Sequence, residues 1–462
     1  MIEKLLTEEL LGIPLNHGAD FTELYFEETR NGNVTLLSGL IDSITDNTVT
    51  GVGIRAFKGT TTVYGSTSDL SRSGLLRLAR SVADAIGELR GGEAVSVTVT
   101  PGAVRDIHPV RIDPSKADIK EKCDLLLAAG AAARATGEKI IQAAGSLITV
   151  DHTIGIANSE GLFLTDRHVR TRMSVEAVAG NGTDTQSGRC SPGRGMGLEV
   201  FELFTPEYIG KTAAAEALTN LRADLCPSGQ MTVAIENGFG GVIFHEACGH
   251  SLEATSVGIG MSAMCGKLGQ LVANPKVTAI DDGTIPNAWG SVNIDDEGNP
   301  TNRNVLIEGG VLKKYMIDRL GSRRLGMPMT GNGRRESYLF EPTSRMTNTF
   351  IDNGPDKNED IIASIEYGLY ARSMGGGSVN PLTGAFNFAV TEGYIVRNGK
   401  ICEPVRGASL VGTGADILRD IDMVGNNLDV GQGMCGSSSG SVPTDVGQPL
   451  IRVSKITVGG RK

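Results

Sequence analysis

The sequence has no uninterrupted apolar run long enough to span a bilayer, no run of basic residues, no CxxC pair and no repeat of fixed period. Each absence narrows the possibilities. Without about 20 consecutive apolar residues there is no transmembrane helix to expect. With a formal net charge of −10 and no basic run, nucleic acid and anionic membrane surfaces are poor partners. The N-terminus, MIEKLLTEELLG, mixes acids among its apolar residues. It reads as the start of an amphipathic helix and not as a secretory signal. The cysteines are scattered and odd in number, seven in all. They fit a reducing compartment in which thiols are buried or bind metal, and the cytoplasm is the expected location. Aromatics are also few, 5% of 462 residues, while glycine is abundant at 62. Many turns and close backbone approaches are expected, and with them extensive β-structure.

What is present is ordinary for a globular chain, with 40% apolar and 21% charged residues. The length suggests two or three domains. Residues 1–100 alternate β-branched and polar residues between turn signals at Asn31-Gly32 and Lys58-Gly59, which predicts an antiparallel meander. Helical spacing follows in SRSGLLRLARSVADAIGEL, again over Ala117 to Thr136, and in a long stretch that opens at Pro206. NSEG is a hairpin turn between two strand-like runs. The pattern changes near Pro227. We therefore expect an α+β fold: an N-terminal α+β domain (1–227) with an antiparallel sheet and helices, and a C-terminal β-rich domain (228–462) carrying a metal-binding helix.

That helix is expected at HEACGH, residues 245–250. A metallohydrolase needs neutral imidazoles on one side of a metal and a carboxylate beside the attacking water. The usual spacing is H-E-x-x-H. On a regular helix, i and i+4 differ by only about 40°, but i and i+5 differ by about 140°. His245 and His250 can share a metal only if the helix is widened by a π-bulge or ends between them, with Cys248-Gly249 the expected point of distortion. Glu246 is placed to act as general base. Two histidines leave at least one protein ligand to be found. Nearby candidates are Cys248 and Glu253; distant ones are Cys265, Cys402, Cys435 and an acid of VNIDDEGNP. Cys248 reads better as a packed helix residue.

Cys435 sits in GQGMCGSSSGSVPTDVGQP, where flanking glycines leave room for close approach; it is either a thiolate ligand or part of a flexible linker. MGGGSVNPLTGAFNFAV places Gly375, Gly376 and Gly377 before an alternating strand. It is either an edge where an extended peptide adds as a strand, or a bulged hairpin. Arg323-Arg324 and Arg334-Arg335 are read as solvated loop charges, or alternatively as groups that orient a substrate carboxylate. His152 and His168 fall on predicted strands, facing solvent or satisfied within the fold. His17 and His108 look like loop or helix-end residues.

Taken together, HEACGHSLEA, SRMTNTFIDNG, GGGSVNPLTGAFNFAV, GMCG with the following GSVPTDVGQP, and the terminal ITVGG resemble the TldD/PmbA family, named as modulators of DNA gyrase, and within it the TldD branch. The likeness runs along essentially the whole chain. It implies a zinc-dependent metallopeptidase with an H-E-x-x-x-H motif. Residue by residue, the resemblance makes His245, His250 and Cys435 the metal ligands and Glu246 the catalytic carboxylate. It implies unstructured peptides as substrates and a TldE/PmbA-like subunit as partner in a heterodimer, with a homodimer as the alternative. The full set of motif residues argues against the inactive partner type. Two other classes remain at this stage: a non-catalytic regulator and a scaffold subunit with a vestigial site.

Overall fold

Two long antiparallel hairpins organise the first half of the chain. In the computed structural model, which describes residues 3–89, 95–380 and 384–460, helix α1 (Lys4–Asn16) leads into β1 (Phe21–Leu37) and β2 (Leu40–Lys58). They turn at Ser38–Gly39, both at positive φ. Next come β3 (Thr61–Thr67), α2 (Arg72–Ile86) and α3 (Ile119–Ala135). The second hairpin is β4 (Ile140–Asn158) and β5 (Leu162–Gly180), closed by the NSEG turn, where Gly161 N–H donates to the Asn158 carbonyl at 3.1 Å. β6 (Thr185–Cys190) and α4 (Pro206–Arg222) complete this half.

The long strands lie in the order β3-β2-β1-β4-β5, with β6 paired to β5. Side chains cap the helices as their sequences foretell: Ser71 accepts from Gly74 N–H for α2, Asp118 from Lys120 N–H for α3, and Thr205 from Tyr208 N–H for α4. α1 and α2 bury one apolar face against the sheet, and α3 and α4 bury a second.

One turn expectation fails. Asn31-Gly32 lies inside β1, where Gly32 pairs with Asp46 on one side and Thr149 on the other. A Cβ there would come within 2.6 Å of Thr149 Oγ1, so the glycine answers strand packing and not a turn.

The second half opens with β7 (Gly229–Ile235) and the short helix α5 (Val242–Ala247). Around α5 stand two sheets. One contains β11 (Tyr367–Val379), β12 (Ala385–Arg397), β13 (Ser409–Thr413) and β16 (Ile451–Gly459) with β7. Its order is β11-β7-β16-β13-β12, and pairing of β12 back onto β11 closes it into a ring. The other holds β8 (Ala279–Asp282), β9 (Arg303–Glu308), β10 (Asn348–Ile351), β14 (Asp429–Ser437) and β15 (Gly440–Gln448), in the order β9-β8-β10-β15-β14. The fold is thus mixed α+β, with the C-terminal half dominated by strands. Phe244 of α5 is buried in the same cluster as Phe388 of the ring and Val442 of β15. This packing holds α5 between the two sheets, against the strand that carries Cys435.

The halves meet across buried charge. Arg55 of β2 reaches Glu23 of β1 at 3.2 Å and Glu297 of the second half at 2.5 Å. Arg335 reaches Glu23 at 3.0 Å. The arginine pair Arg334-Arg335, read as solvated, is in fact buried, at 3% and 4% exposure. Arg323 instead pairs with Asp20 at 2.6 Å.

Candidate metal centre

The α5 helix stops after Ala247. Cys248 breaks it at φ −131°, ψ −43°, and Gly249–Leu252 continues as a 3₁₀ turn. This is the second of the two distortions that the spacing allows: the helix ends between the histidines. The break has a packing cause. A Cβ on Gly249 would lie 2.3 Å from Met346 Sδ, so the 3₁₀ turn starts at a residue with no side chain. Cys248 is buried, and its thiol reaches the Gly414 carbonyl at 3.5 Å; burial pushes this thiol's pKa up. It faces away from the histidines' shared partner.

The result is that both imidazoles address one sulfur. His245 Nε2 lies 3.1 Å from Cys435 Sγ, and His250 Nε2 lies 3.3 Å from it. One candidate ligand atom from each residue falls within 4.8 Å of the others. The rings stand edge to face, with centroids 5.2 Å apart at 83°. Cys435 arrives from the far end of the chain on β14, which is fixed by its pairing with β15, Cys435 opposite Val442. It is buried, at 3% exposure. Burial alone would push its thiol up, but the two imidazoles outweigh that and hold it down at about 3. The sulfur is therefore a thiolate, the form that binds metal. Burial disfavours a charged His250, yet Glu253 and the Cys435 thiolate together raise its pKa well above the usual imidazole range.

The donor set fits zinc. Zn–N bonds of about 2.0–2.1 Å and a Zn–S bond of about 2.3 Å in tetrahedral array put N and S roughly 3.5 Å apart, close to the separations found here. Two imidazoles and a thiolate supply three ligands and leave one position open, as catalytic zinc sites do. Glu246 sits beside the donors, with Oε2 3.7 Å from His250 Nε2 and a side chain 28% exposed.

The other candidate ligands go elsewhere. Glu253 Oε2 lies 3.1 Å from His250 Nδ1, the ring nitrogen other than the one that meets the sulfur. It orients the imidazole from behind, in the way outer partners of metal-bound histidines do. Cys265 reaches the Val257 carbonyl at 3.6 Å, and Cys402 is exposed. Asp295 and Glu297 of VNIDDEGNP are buried, Glu297 against Arg55 at the seam of the two halves. His168 is satisfied by Asp166 at 2.8 Å, and His152 lies 3.3 Å from Tyr25 Oη. His17 caps α1, and His108 is buried and accepts from Asn287 N–H at 3.0 Å.

One contributor escaped the sequence reading. Arg345, fully buried, donates to the Cys435 carbonyl, to Ser439 Oγ at 3.0 Å and to the Gly440 carbonyl at 2.9 Å. Its Nε lies 3.9 Å from Glu253 Oε1. It links the Cys435 hairpin to the group behind His250. Nothing in the sequence marked it except its place inside SRMTNTF.

Gly375–Gly377 lie at the outer end of the β11–β12 hairpin, where the register slips between Met374 and Gly377. A Cβ on Gly377 would strike the Phe388 ring at 2.2 Å, whereas one on Gly376 would meet open space. The hairpin is bulged, and its glycine edge is exposed at Gly376 and Gly377. Residues 381–383 of the same stretch lie outside the described residues.

Known proteins resemble this chain along its length. It matches PmbA/TldA metallopeptidase domain 1 over residues 22–86, the central domain over 112–221 and the C-terminal domain over 228–460. A "Metalloprotease TldD homolog" of Haemophilus influenzae is 36% identical over 471 residues, covering 99% of this chain and 97% of that protein. A "Zinc metalloprotease TldD homolog" of Saccharolobus solfataricus is 30% identical over 263 residues, covering 56% of this chain and 58% of that protein. Among solved structures, a modulator of a DNA gyrase from Thermotoga maritima shares the fold at TM-score 0.80 and 24% identity, covering 98% of this chain and 99% of that one. TldE from Thermococcus kodakarensis does so at TM-score 0.78 and 19% identity, covering 98% of this chain and all of that one (100%).

Proposed function

This chain belongs to the PmbA/TldD family of metallopeptidases, and we propose that it is a zinc-dependent member that hydrolyses unstructured peptides with Glu246 as general base. The observation that carries this reading is the convergence of His245, His250 and Cys435 within 4.8 Å beside a carboxylate that keeps access to solvent. The choice of zinc rests on the donor set, imidazole with thiolate. The word "zinc" in the name of the Saccharolobus relative supports it. When bound, Zn²⁺ would supply Lewis acidity toward a peptide carbonyl and an acidified water.

The chain's own residues do the rest. His245, His250 and Cys435 hold the metal, and Glu253 keeps His250 turned so that Nε2 faces inward. Glu246 takes a proton from the attacking water onto its carboxylate and returns it to the nitrogen of the leaving amine. The glycine edge at Gly375–Gly377 receives the substrate as an added strand, which suits extended peptides and excludes folded ones. We assign the chemistry to residues 228–462 and treat 1–227 as the domain that frames it. A TldE/PmbA-like subunit is the proposed partner, with a homodimer as the alternative; the fold shared with TldE supports this. No described helix is long and apolar enough to cross a membrane, and the proposed setting is the cytoplasm.

The test is Glu246→Gln. Cleavage of an unstructured peptide should fall by roughly 10²–10⁴-fold, while the metal content stays near that of the unsubstituted chain. Undiminished cleavage would end the proposed role of Glu246.

A further inference from the structure

Behind the Cys435 strand, residues of both halves of the chain line a half-open cavity of about 530 Å³. One wall is the β1–β4–β5 sheet face and another is the β14–β15 hairpin, which contributes Met434, the residue before Cys435. The volume lies in the range of small-ligand pockets. None of the three candidate metal ligands lines it.

Its charges are unevenly matched. Arg170 and Arg334 both line it, and both are buried, at 5% and 3% exposure. Among the described residues neither forms a salt bridge. Each bonds only to backbone carbonyls: Arg170 Nε to Trp289 at 2.9 Å and Nη2 to Ser291 at 3.2 Å, and Arg334 Nη1 to Met346 at 2.6 Å and Pro443 at 2.8 Å. Among the described residues these bonds use Arg170 Nε and Nη2 and Arg334 Nη1, and the structure records none for Arg170 Nη1 or Arg334 Nη2. Their neighbour Arg335 is different, being matched by Glu23 at 3.0 Å. Of the acids on the cavity wall, Asp296 lies near enough to act on both guanidiniums, without a direct ion pair to either. Burial pushes Asp295 and Asp296 toward their neutral forms, and Asp296 is already engaged by Arg335 N–H at 2.8 Å. Burial lowers Arg170 to about 10, and the nearby Arg334 adds to the shift. Buried cations without a direct ion pair are costly, and an anion brought into the cavity relieves them.

We propose that this cavity binds a carboxylate of the peptide substrate, anchored by Arg170 and Arg334 against the indole of Trp289. The guanidinium fork matches a carboxylate in shape and charge. Met434, on the same strand as Cys435 and one residue before it, joins the cavity wall to the metal strand. The source of the carboxylate is either the peptide's C-terminus or an acidic side chain. This inference rests on the proposal that the substrate is a peptide.

Trp289 is the only tryptophan in the chain, so its fluorescence reports on this cavity alone. The experiment uses the full-length, zinc-loaded Glu246→Gln protein and three short unstructured peptides of one core sequence. The first has a free C-terminus and no acidic residue, the second an amidated C-terminus and one internal Glu, and the third neither carboxylate. We expect a saturable Trp289 signal with the first or the second, the tighter one identifying the source. The third should bind roughly ten- to a hundredfold more weakly. Arg170→Gln should abolish the preference, and Arg170→Lys should keep part of it. If Arg170→Gln fails to fold, the three-peptide comparison on the parent chain decides alone. Equal affinity for all three peptides overturns the proposal, and so does tighter binding of inorganic phosphate than of either carboxylate peptide. Equal affinities would leave the zinc site standing, and absent catalysis would leave a carboxylate preference standing.

Discussion

The seam around Arg55 and the cluster around Cys435 are both built from buried polar groups, yet they end in opposite states. At the seam, cation faces anion: Arg55 meets Glu23 and Glu297, and Arg335 meets Glu23. The set is closed, and its effect is to join the halves. At Cys435, three donors converge, with the sulfur 3.1 Å from one imidazole and 3.3 Å from the other, and a carboxylate waits at the rim. That set joins the donor types that bind metal, two imidazoles and a thiolate, around one point. What separates a structural ion network from a candidate metal centre here is the kind of donor, guanidinium with carboxylate at one and imidazole with thiolate at the other, since both are buried.

The comparison is broken most forcefully at the seam. Arg55→Met leaves Glu23 and Glu297 buried and short of a cation, and it should cost about 3–5 kcal/mol in denaturant unfolding. Zinc per folded chain should not change, because all three ligands lie beyond the seam. Zinc loss in the folded protein would mean that the two regions are not separate. A smaller effect is expected at Glu253. Glu253→Gln weakens the support behind His250 and should lower zinc affinity roughly 10–100-fold in a chelator competition, with little change in unfolding midpoint. Unchanged affinity would remove Glu253 from the site.

The gentlest probe is pH. Burial, with His168 adding, holds His152 down at about 3, against an ordinary value of 6.5. The folded state therefore favours the neutral ring. This contribution is present above pH 6.5 and is lost as pH falls toward the folded value, because the unfolded chain takes up the proton first. Between about pH 6 and 4 the group should remove up to about 1.4 kcal/mol of stability per pH unit. Asp445, raised by burial to about 6, acts in the opposite sense, so the decisive quantity is a difference. His152→Asn should flatten the acid slope relative to the parent chain. Parallel slopes would mean that His152 titrates alike in both states.

Much of this was legible in the sequence where a local rule decides the outcome. The five-residue spacing of His245 and His250 demands a break, and the break falls at Cys248. Helical spacing announces α2 and α3, and Pro206 opens α4, because spacing and first-turn preferences are local effects. What stayed hidden depends on contacts remote in the chain. Asn31-Gly32 has the composition of a turn but sits in a strand, because Thr149, far along the chain, needs the space. Arg334-Arg335 look solvated until Glu23 and the Met346 and Pro443 carbonyls are brought to them. Glu253 stands three residues after His250, a spacing that suggests a ligand. Only the fold shows that it meets Nδ1 and not the side facing the sulfur. Arg345 carries no local signal at all, since its partners Ser439 and Gly440 arrive from the turn of the distant Cys435 hairpin.

The central claim is that His245, His250 and Cys435 hold one catalytic zinc. X-ray absorption at the zinc edge, with elemental analysis on the same sample, tests it most directly. We predict about one zinc per chain, with two imidazole nitrogens at about 2.0–2.1 Å and one sulfur at about 2.3 Å, and loss of the sulfur shell in Cys435→Ser. A coordination shell without sulfur, or one unchanged by Cys435→Ser, would contradict it.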